Sequence, residues 1–424
     1  MNKNTRPVAV IGGARIPFCR SNTGYADLSN QDMLTASFQG VVDRYKLDGV
    51  KLDEVAAGAV IKYAGDWNLA REAVLGTKLS PLTPAFTLQM ACGTGLQAAG
   101  TLAAKIASGQ IDSGLAGGSD TTSDAPIGLK RKLARRLVKA QAAKSFGDRL
   151  AAFKGFRPSE LAPQPPNNAE PRTGKSMGAH CEMMAKEWGI SREDQDQLAV
   201  DSHLKAAAAY EAGFFKDMVV PCAGVERDNN MRADSSTEKL AKLRPAFDRD
   251  NGTLTAGNST PLTDGASSVL LSTEEWAKEH GLPVQARLTH VRVAAVDFVG
   301  GEGLLMAPTV AVAEMLQQAG LTLQDFDYYE IHEAFAAQVL CTLKAWESEE
   351  YCRKRLGLDK ALGSIDRAKL NVKGGSLAFG HPFAATGARV IATLGGILEE
   401  AGSGRGLISV CTAGGMGITA IMER

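Results

Sequence analysis

The sequence predicts an α/β protein in which two similar βαβ-rich halves flank an inserted segment. Three observations carry that expectation. Ala-rich helical runs alternate with short β-branched runs, the pattern of helices covering sheets. A motif recurs: Thr94-Gly95 and Thr386-Gly387 each open an Ala/Leu helix, followed by a short apolar run and a double glycine, Gly117-Gly118 and Gly414-Gly415. Between the two copies the character of the chain changes, from about residue 123 to about 250, as an insertion carried by one half would make it. The expected organisation is an N-terminal half over 1–122, completed by about 251–283, an inserted loop domain over 123–250, and a C-terminal half over 284–424.

In chain order, Lys3 and Arg6 precede Val8-Ala9-Val10-Ile11, which runs straight into Gly12-Gly13. That run is too short for a signal-peptide core and reads as a first strand. No stretch of 18 uncharged apolar residues follows, so no membrane span is expected and the location is expected to be cytoplasmic. With 424 residues, 44% of them hydrophobic, the chain can bury two domain-sized cores or one large one. Lys plus Arg and Asp plus Glu both number 47, so no nucleic-acid partner is expected. The seven cysteines are scattered, odd in number and without a C-x-x-C pair, which points to a reducing compartment. The six histidines and these cysteines lack zinc-ligand spacing, so neither a metal nor a tightly bound cofactor is expected.

Residues 95–108 read as a helix rich in small residues, closed by Gly109 and buried between other elements. Cys92 lies just before it, in Leu88-Gln89-Met90-Ala91-Cys92-Gly93-Thr94-Gly95. Free N–H groups and the dipole of a helix N-terminus stabilise a thiolate there. Taken alone, a buried structural cysteine fits the same residues. Downstream, residues 127–161 carry ten Lys/Arg against two Asp/Glu. Leu129, Leu133 and Leu137 fall at four-residue spacing among Lys130, Arg131, Lys132, Arg135 and Arg136. Phe146, Leu150, Phe153 and Phe156 stand beside Lys144, Arg149, Lys154 and Arg157. Both stretches predict amphipathic helices with a cationic face, and a proline-rich connector, LAPQPPNNAEPRTG, follows.

Three further segments could carry chemistry. His332, in Ile331-His332-Glu333-Ala334-Phe335-Ala336, falls where a strand would end and reads as structural by itself. His381, in Gly380-His381-Pro382, precedes the second helix copy much as Cys92 precedes the first, and a neutral imidazole is the usual thiol activator. Cys411, in Val410-Cys411-Thr412-Ala413-Gly414-Gly415-Met416-Gly417, ends an apolar run at a glycine loop whose N–H groups suit an oxyanion.

Taken together and in this order, these motifs resemble those of the thiolase family, over essentially the whole chain. The nucleophile motif matches at Cys92, G-H-P at His381 and C-x-x-G-G-M-G at Cys411. Thr255-Ala256-Gly257-Asn258-Ser259-Thr260, with Asp264-Gly265-Ala266 after it, is similar to the pantetheine-contacting loop. HEAFA at His332, KLRPAFDR at 242–249, GHPFAATGAR at 380–389 and the basic insertion most resemble the β-subunits of fatty-acid β-oxidation multienzyme complexes. The resemblance implies a thiolase fold, layered αβαβα, with helices sandwiched between two sheets and an inserted loop domain.

It also implies ping-pong cleavage of a 3-ketoacyl-CoA with coenzyme A as substrate. Cys92 is then the nucleophile, His381 its base and Cys411 the second acid–base group. One oxyanion site uses the N–H groups of Cys92 and Ala413, where the family usually has glycine. The other uses His381 with a water held by His332, where most thiolases have asparagine. Ser259 and Thr260 are the implied CoA contacts. A homodimer or homotetramer, a dehydrogenase/hydratase α-subunit and a peripheral membrane contact through 127–161 are the implied partners. Three other readings compete: an acetoacetyl-CoA thiolase with the same catalytic residues, a ketoacyl synthase and a thiolase-fold lipid carrier. Cys411 speaks against the synthase, and the full reactive set against the carrier.

Overall fold

A computed structural model describes residues 5–424; Lys3 and the rest of residues 1–4 lie outside the described residues. Ten strands form one mixed sheet: β1 (Ala9–Arg15), β2 (Cys19–Arg20), β3 (Glu54–Gly58), β4 (Ala85–Thr87), β5 (Ser113–Asp120), β6 (Thr263–Ser272), β7 (Ala286–Ala295), β8 (Tyr328–Ile331), β9 (Arg405–Thr412) and β10 (Met416–Glu423). Their order is β4-β3-β5-β6-β1-β7-β10-β9-β8, with β2 paired to β6. The expected first strand is β1. Together with β5 and β6 it is buried along its whole length, so these strands are mostly small and apolar rather than alternating, with Arg15, Asp120 and Asp264 at or near their ends.

The order falls into two groups, β4-β3-β5-β6-β1 and β7-β10-β9-β8. They meet only at a short antiparallel seam, where Ala9 faces Arg287 and Val10 faces Ala286. Hydrogen bonding therefore joins the strands of both halves into a single path rather than two separate sheets. The helices Thr94–Ala107 and Thr386–Ala401, which follow the two Thr-Gly openings, pack against each other. Their glycines explain the motif. A Cβ on Gly387 would meet the Leu96 backbone nitrogen at 2.1 Å, and one on Gly95 would meet Ala388 N at 2.8 Å. Any side chain at either position would force the helix starts apart. Leu96, Leu102, Val390, Ile391 and Leu394 of this pair are almost fully buried in one cluster with Cys92.

Among the described residues, 123–250 contribute no strand to the sheet. The first basic stretch forms the helix Arg131–Ala142, which buries only Leu133 and leaves Leu137 and Val138 exposed. The second stretch departs from expectation, since its helix spans only Phe146–Ala151. Gly155, at φ +73°, turns the chain into a left-handed conformation, and Phe153 and Phe156 pack edge-on 6.4 Å apart instead of lining one helical face. Arg136 is also not part of a solvated face. Its guanidinium is 2.8 Å from Glu160 and donates to the carbonyls of Ala152, Lys154 and Gly155.

Candidate active site

The turn before the first buried helix is built around one unfavourable residue. Ala91 has φ +45°, a conformation that costs a residue with a Cβ about 1–3 kcal/mol. Thr94 holds it: its Oγ1 donates to the Ala91 carbonyl at 2.7 Å and accepts from the Met90 N–H at 2.9 Å. The result places Cys92 two residues ahead of the helix, nearly buried at 9% exposure.

Two histidines converge on that cysteine. His332 follows β8 directly, and its N–H donates to the Ser409 carbonyl of β9. His381 follows Gly380, whose φ of +98° admits glycine far more readily than other residues. Donor atoms of Cys92, His332 and His381 all lie within 4.8 Å of one another, and the two imidazole centroids are 4.1 Å apart. The Nδ1 of His381 is 2.5 Å from Thr386 Oγ1, and the Nδ1 of His332 is 2.7 Å from Ser376 Oγ. Both Nε2 atoms are buried without a hydrogen-bond partner among the described residues. Two imidazoles and a thiol are also donors that zinc accepts, but a metal there would occupy the nucleophile.

The fourth segment is the turn between β9 and β10. Cys411 is the penultimate residue of β9, buried at 1% exposure, and Thr412 beside it packs so close to Gly93 that a Cβ on that glycine would meet its Cγ2 at 2.9 Å. The backbone N–H groups of Ala413 and of Cys92 itself favour the charged form of the Cys92 sulfur. Neither is spent on a backbone carbonyl among the described residues. Gly414, at φ +78°, donates its N–H to Glu170 Oε1 at 2.9 Å, so the inserted segment touches this turn directly.

Electrostatics correct one expectation. Burial pushes the Cys92 thiol up to about 12; the N–H groups of Ala413 and Cys92 oppose the rise, and the Asp120 and Glu170 carboxylates add to it. A helix start alone therefore does not make a resting thiolate here, because desolvation outweighs it. Burial, then the charge of Arg389, lowers His381 to about 3, leaving a neutral imidazole able to accept a proton. Burial, His381 and Arg389 together hold His332 well below the usual histidine range. Cys411 is raised well above the usual thiol range by burial and by Cys92. The arrangement is a neutral thiol beside a neutral base, with two N–H groups placed for an oxyanion and a second thiol at hand.

Residues 8–275 match the thiolase N-terminal domain family and residues 282–424 match the thiolase C-terminal domain family. The chain belongs to the thiolase family. It is 43% identical to the 3-ketoacyl-CoA thiolase of Shewanella woodyi, over 98% of this chain and 96% of that protein. It is 42% identical to that of Yersinia pestis, with the same coverage. A crystal structure of the Bacillus anthracis acetyl-CoA acetyltransferase superposes with a TM-score of 0.83 at 29% identity, covering all of both chains. Human mitochondrial 3-ketoacyl-CoA thiolase in complex with CoA gives 0.80 at 28% identity, covering 99% of this chain and 98% of that one.

In this thiolase the loop expected to contact CoA is folded onto the HEAFA segment. Ser259 pairs with Phe335, while the N–H and Oγ1 of Thr260 both donate to the Ala334 carbonyl. The Thr260 hydroxyl is thus already engaged, whereas Ser259 Oγ is buried without a partner. Several residues of the site gave no signal on their own in the sequence. Ser376, Asp120 and Glu170 are ordinary polar residues whose partners lie on segments far away in the chain. Arg389 was visible in principle, as the one cation of the helix Thr386–Ala401, and it is 1% exposed.

Proposed function

We propose that this chain is a 3-ketoacyl-CoA thiolase, an acetyl-CoA C-acyltransferase acting in fatty-acid β-oxidation, with an acyl-Cys92 intermediate. The observation that carries the reading is the meeting of Cys92, His332 and His381 from three separate segments within 4.8 Å in one buried site, with Thr412, the residue after Cys411, packed against Gly93. His381 Nε2 takes the Cys92 proton, and the thiolate attacks the 3-keto carbon. The C2–C3 bond breaks, the acyl group stays on sulfur, and the acetyl-CoA enolate takes a proton from Cys411. A second CoA thiol gives its proton to the Cys411 thiolate and attacks the acyl group. Cys92 leaves as thiolate and recovers its proton from His381, so protons and electron pairs balance over the cycle. The N–H groups of Cys92 and Ala413 stabilise the oxyanion formed at the 3-keto carbon, whose oxygen becomes that of the acyl-cysteine, and the two Nε2 atoms serve the enolate oxygen of the departing acetyl-CoA. Coenzyme A is substrate rather than resident cofactor, and Ser259, with its free hydroxyl, is the better of the two expected CoA contacts.

The high similarity in sequence to 3-ketoacyl-CoA thiolases favours this over the acetoacetyl-specific reading, and Cys411 favours it over a ketoacyl synthase. Thiolysis rates across C4 to C16 3-ketoacyl-CoAs test the reading. Turnover of medium or long chains is expected, and activity confined to C4 would support the acetoacetyl-specific enzyme instead.

The same reading places the protein in the cytoplasm as a homo-oligomer. No described helix is long and apolar enough to cross a membrane. Arg131, Lys132, Arg135 and Lys139 stand exposed on one helix beside Leu137 and Val138. That surface suits peripheral contact with an anionic membrane or a dehydrogenase/hydratase α-subunit.

A further inference from the structure

Two imidazoles face Cys92, and nothing in their ring chemistry says which is the base. Their partners differ. Ser376 Oγ, fully buried, lies 2.7 Å from His332 Nδ1 and 2.8 Å from Arg389 Nη2. It has no other hydrogen-bond partner among the described residues. A guanidinium only donates, so the serine oxygen accepts from Arg389. The single hydroxyl proton then has one acceptor within reach, His332 Nδ1. The reverse arrangement, with Nδ1 donating, would leave that proton buried and unpaired. Arg389 is held in turn by burial, by Glu330 Oε2 at 3.9 Å and by the face of Phe379 at 5.7 Å.

We propose that Ser376, oriented by Arg389, is a positioning residue that fixes His332 as its Nε2–H tautomer. His332 then donates a hydrogen bond into the site and cannot compete with His381 for the Cys92 proton. His332 Nε2 fits this, since it is buried without a partner and shares its space with Cys92 and His381. The hydroxyl facing His381, that of Thr386, has no guanidinium on its other side. It can accept from Nδ1–H or donate to Nδ1, so His381 is free to present a bare Nε2 as base. One buried arginine thereby separates the roles of two adjacent histidines. The relay also explains how histidine can stand where most of the family has asparagine: with Nδ1 occupied, the ring offers the same N–H donor.

The role assigned to the donated hydrogen bond rests on the thiolase reading, but the tautomer does not. The test is ring-nitrogen NMR of the full-length enzyme labelled with 15N-histidine, assigned with His332→Asn, alongside thiolysis and single-turnover acylation. The expected wild-type spectrum has His332 with a protonated Nε2 and a bare Nδ1. Ser376→Ala should mix the tautomers and slow acylation by roughly 10-fold or more, short of the 10²–10³ typical of removing an oxyanion donor outright. KM should change little, and Ser376→Thr, which keeps the hydroxyl, should recover both signals. A protonated Nδ1 or an imidazolium in the wild type would overturn the proposal, as would an unchanged tautomer in a folded Ser376→Ala. A chain with the expected tautomer but no thiolysis would leave the relay standing and reject the thiolase reading.

Discussion

Cys92 and His381 are both neutral in the resting site, and that has a measurable consequence. With His381 lowered to about 3, its proton-accepting form is fully populated across the working range. With Cys92 raised to about 12, no free thiolate builds up there either. The rate of Cys92 acylation by acetyl-CoA is therefore expected to be flat from about pH 5 to about pH 8. A limb with its midpoint near the ordinary histidine value of about 6.5 would show that His381 titrates normally and that the site is wetter than described. Two substitutions separate the steps. His381→Ala should slow acylation by roughly 10²–10⁴, the usual worth of a positioned base. Cys411→Ala should still acylate slowly but fail to protonate the enolate. Equal single-turnover acylation in His381→Ala and wild type would remove the base assignment. At this scale the sequence singles out Cys92, His381 and Cys411 as candidates by their glycine-flanked motifs, and of these Cys92 and His381 do come together. It was silent on Ala91, whose strain needs φ, and on Ser376 and Glu170, which matter through neighbours 44 and 244 positions away.

Among elements, the helix after Cys92 was legible because small residues on every side leave burial as its only fate. What could not be read was why the glycines recur, since the reason is the other copy of the helix. The second basic stretch misled for a related reason. Its apolar spacing suits a helix, but after Ala151 the backbone passes into i→i+3 turns, Phe153 to Leu150 and Lys154 to Ala151, before Gly155 turns left-handed. Arg136 carries a further lesson, for a cation in a basic run turned out to be a brace for Glu160 and three carbonyls. Charge reversal at Arg131, Arg135 and Lys139, leaving Arg136 intact, should abolish low-salt co-sedimentation with anionic vesicles while thiolysis of short substrates is retained. Wild-type protein that ignores such vesicles would end the membrane version of that surface. The turn carrying Ala413 makes a second element-scale case. Glu170→Ala frees the Gly414 N–H and should slow acylation, whereas Glu170→Gln keeps the acceptor and should not; equal rates in both would make the clamp irrelevant.

For the molecule as a whole, the short strand β4 is the end of the sheet, with Ala85, Phe86 and Thr87 only half-buried. Trp67, 89% exposed, and Leu82, 74% exposed, lie on the segments flanking it. An open edge with large apolar neighbours is unusual for an isolated chain and suits pairing with a second copy. Light scattering at micromolar concentration is expected to give at least a dimer, and Phe86→Arg to shift it toward monomer; a monomeric wild type would contradict this. The seam between β1 and β7 was not legible in the sequence, because two residue pairs leave no pattern. All of these scales meet in one claim, that the buried site exists to put an acyl group on Cys92. Incubation with acetyl-CoA, digestion and peptide mass mapping test it directly. The acetyl group is expected on Cys92 alone and should be discharged by added CoA; label on Cys411 or Cys19, or no label at all, would contradict the account.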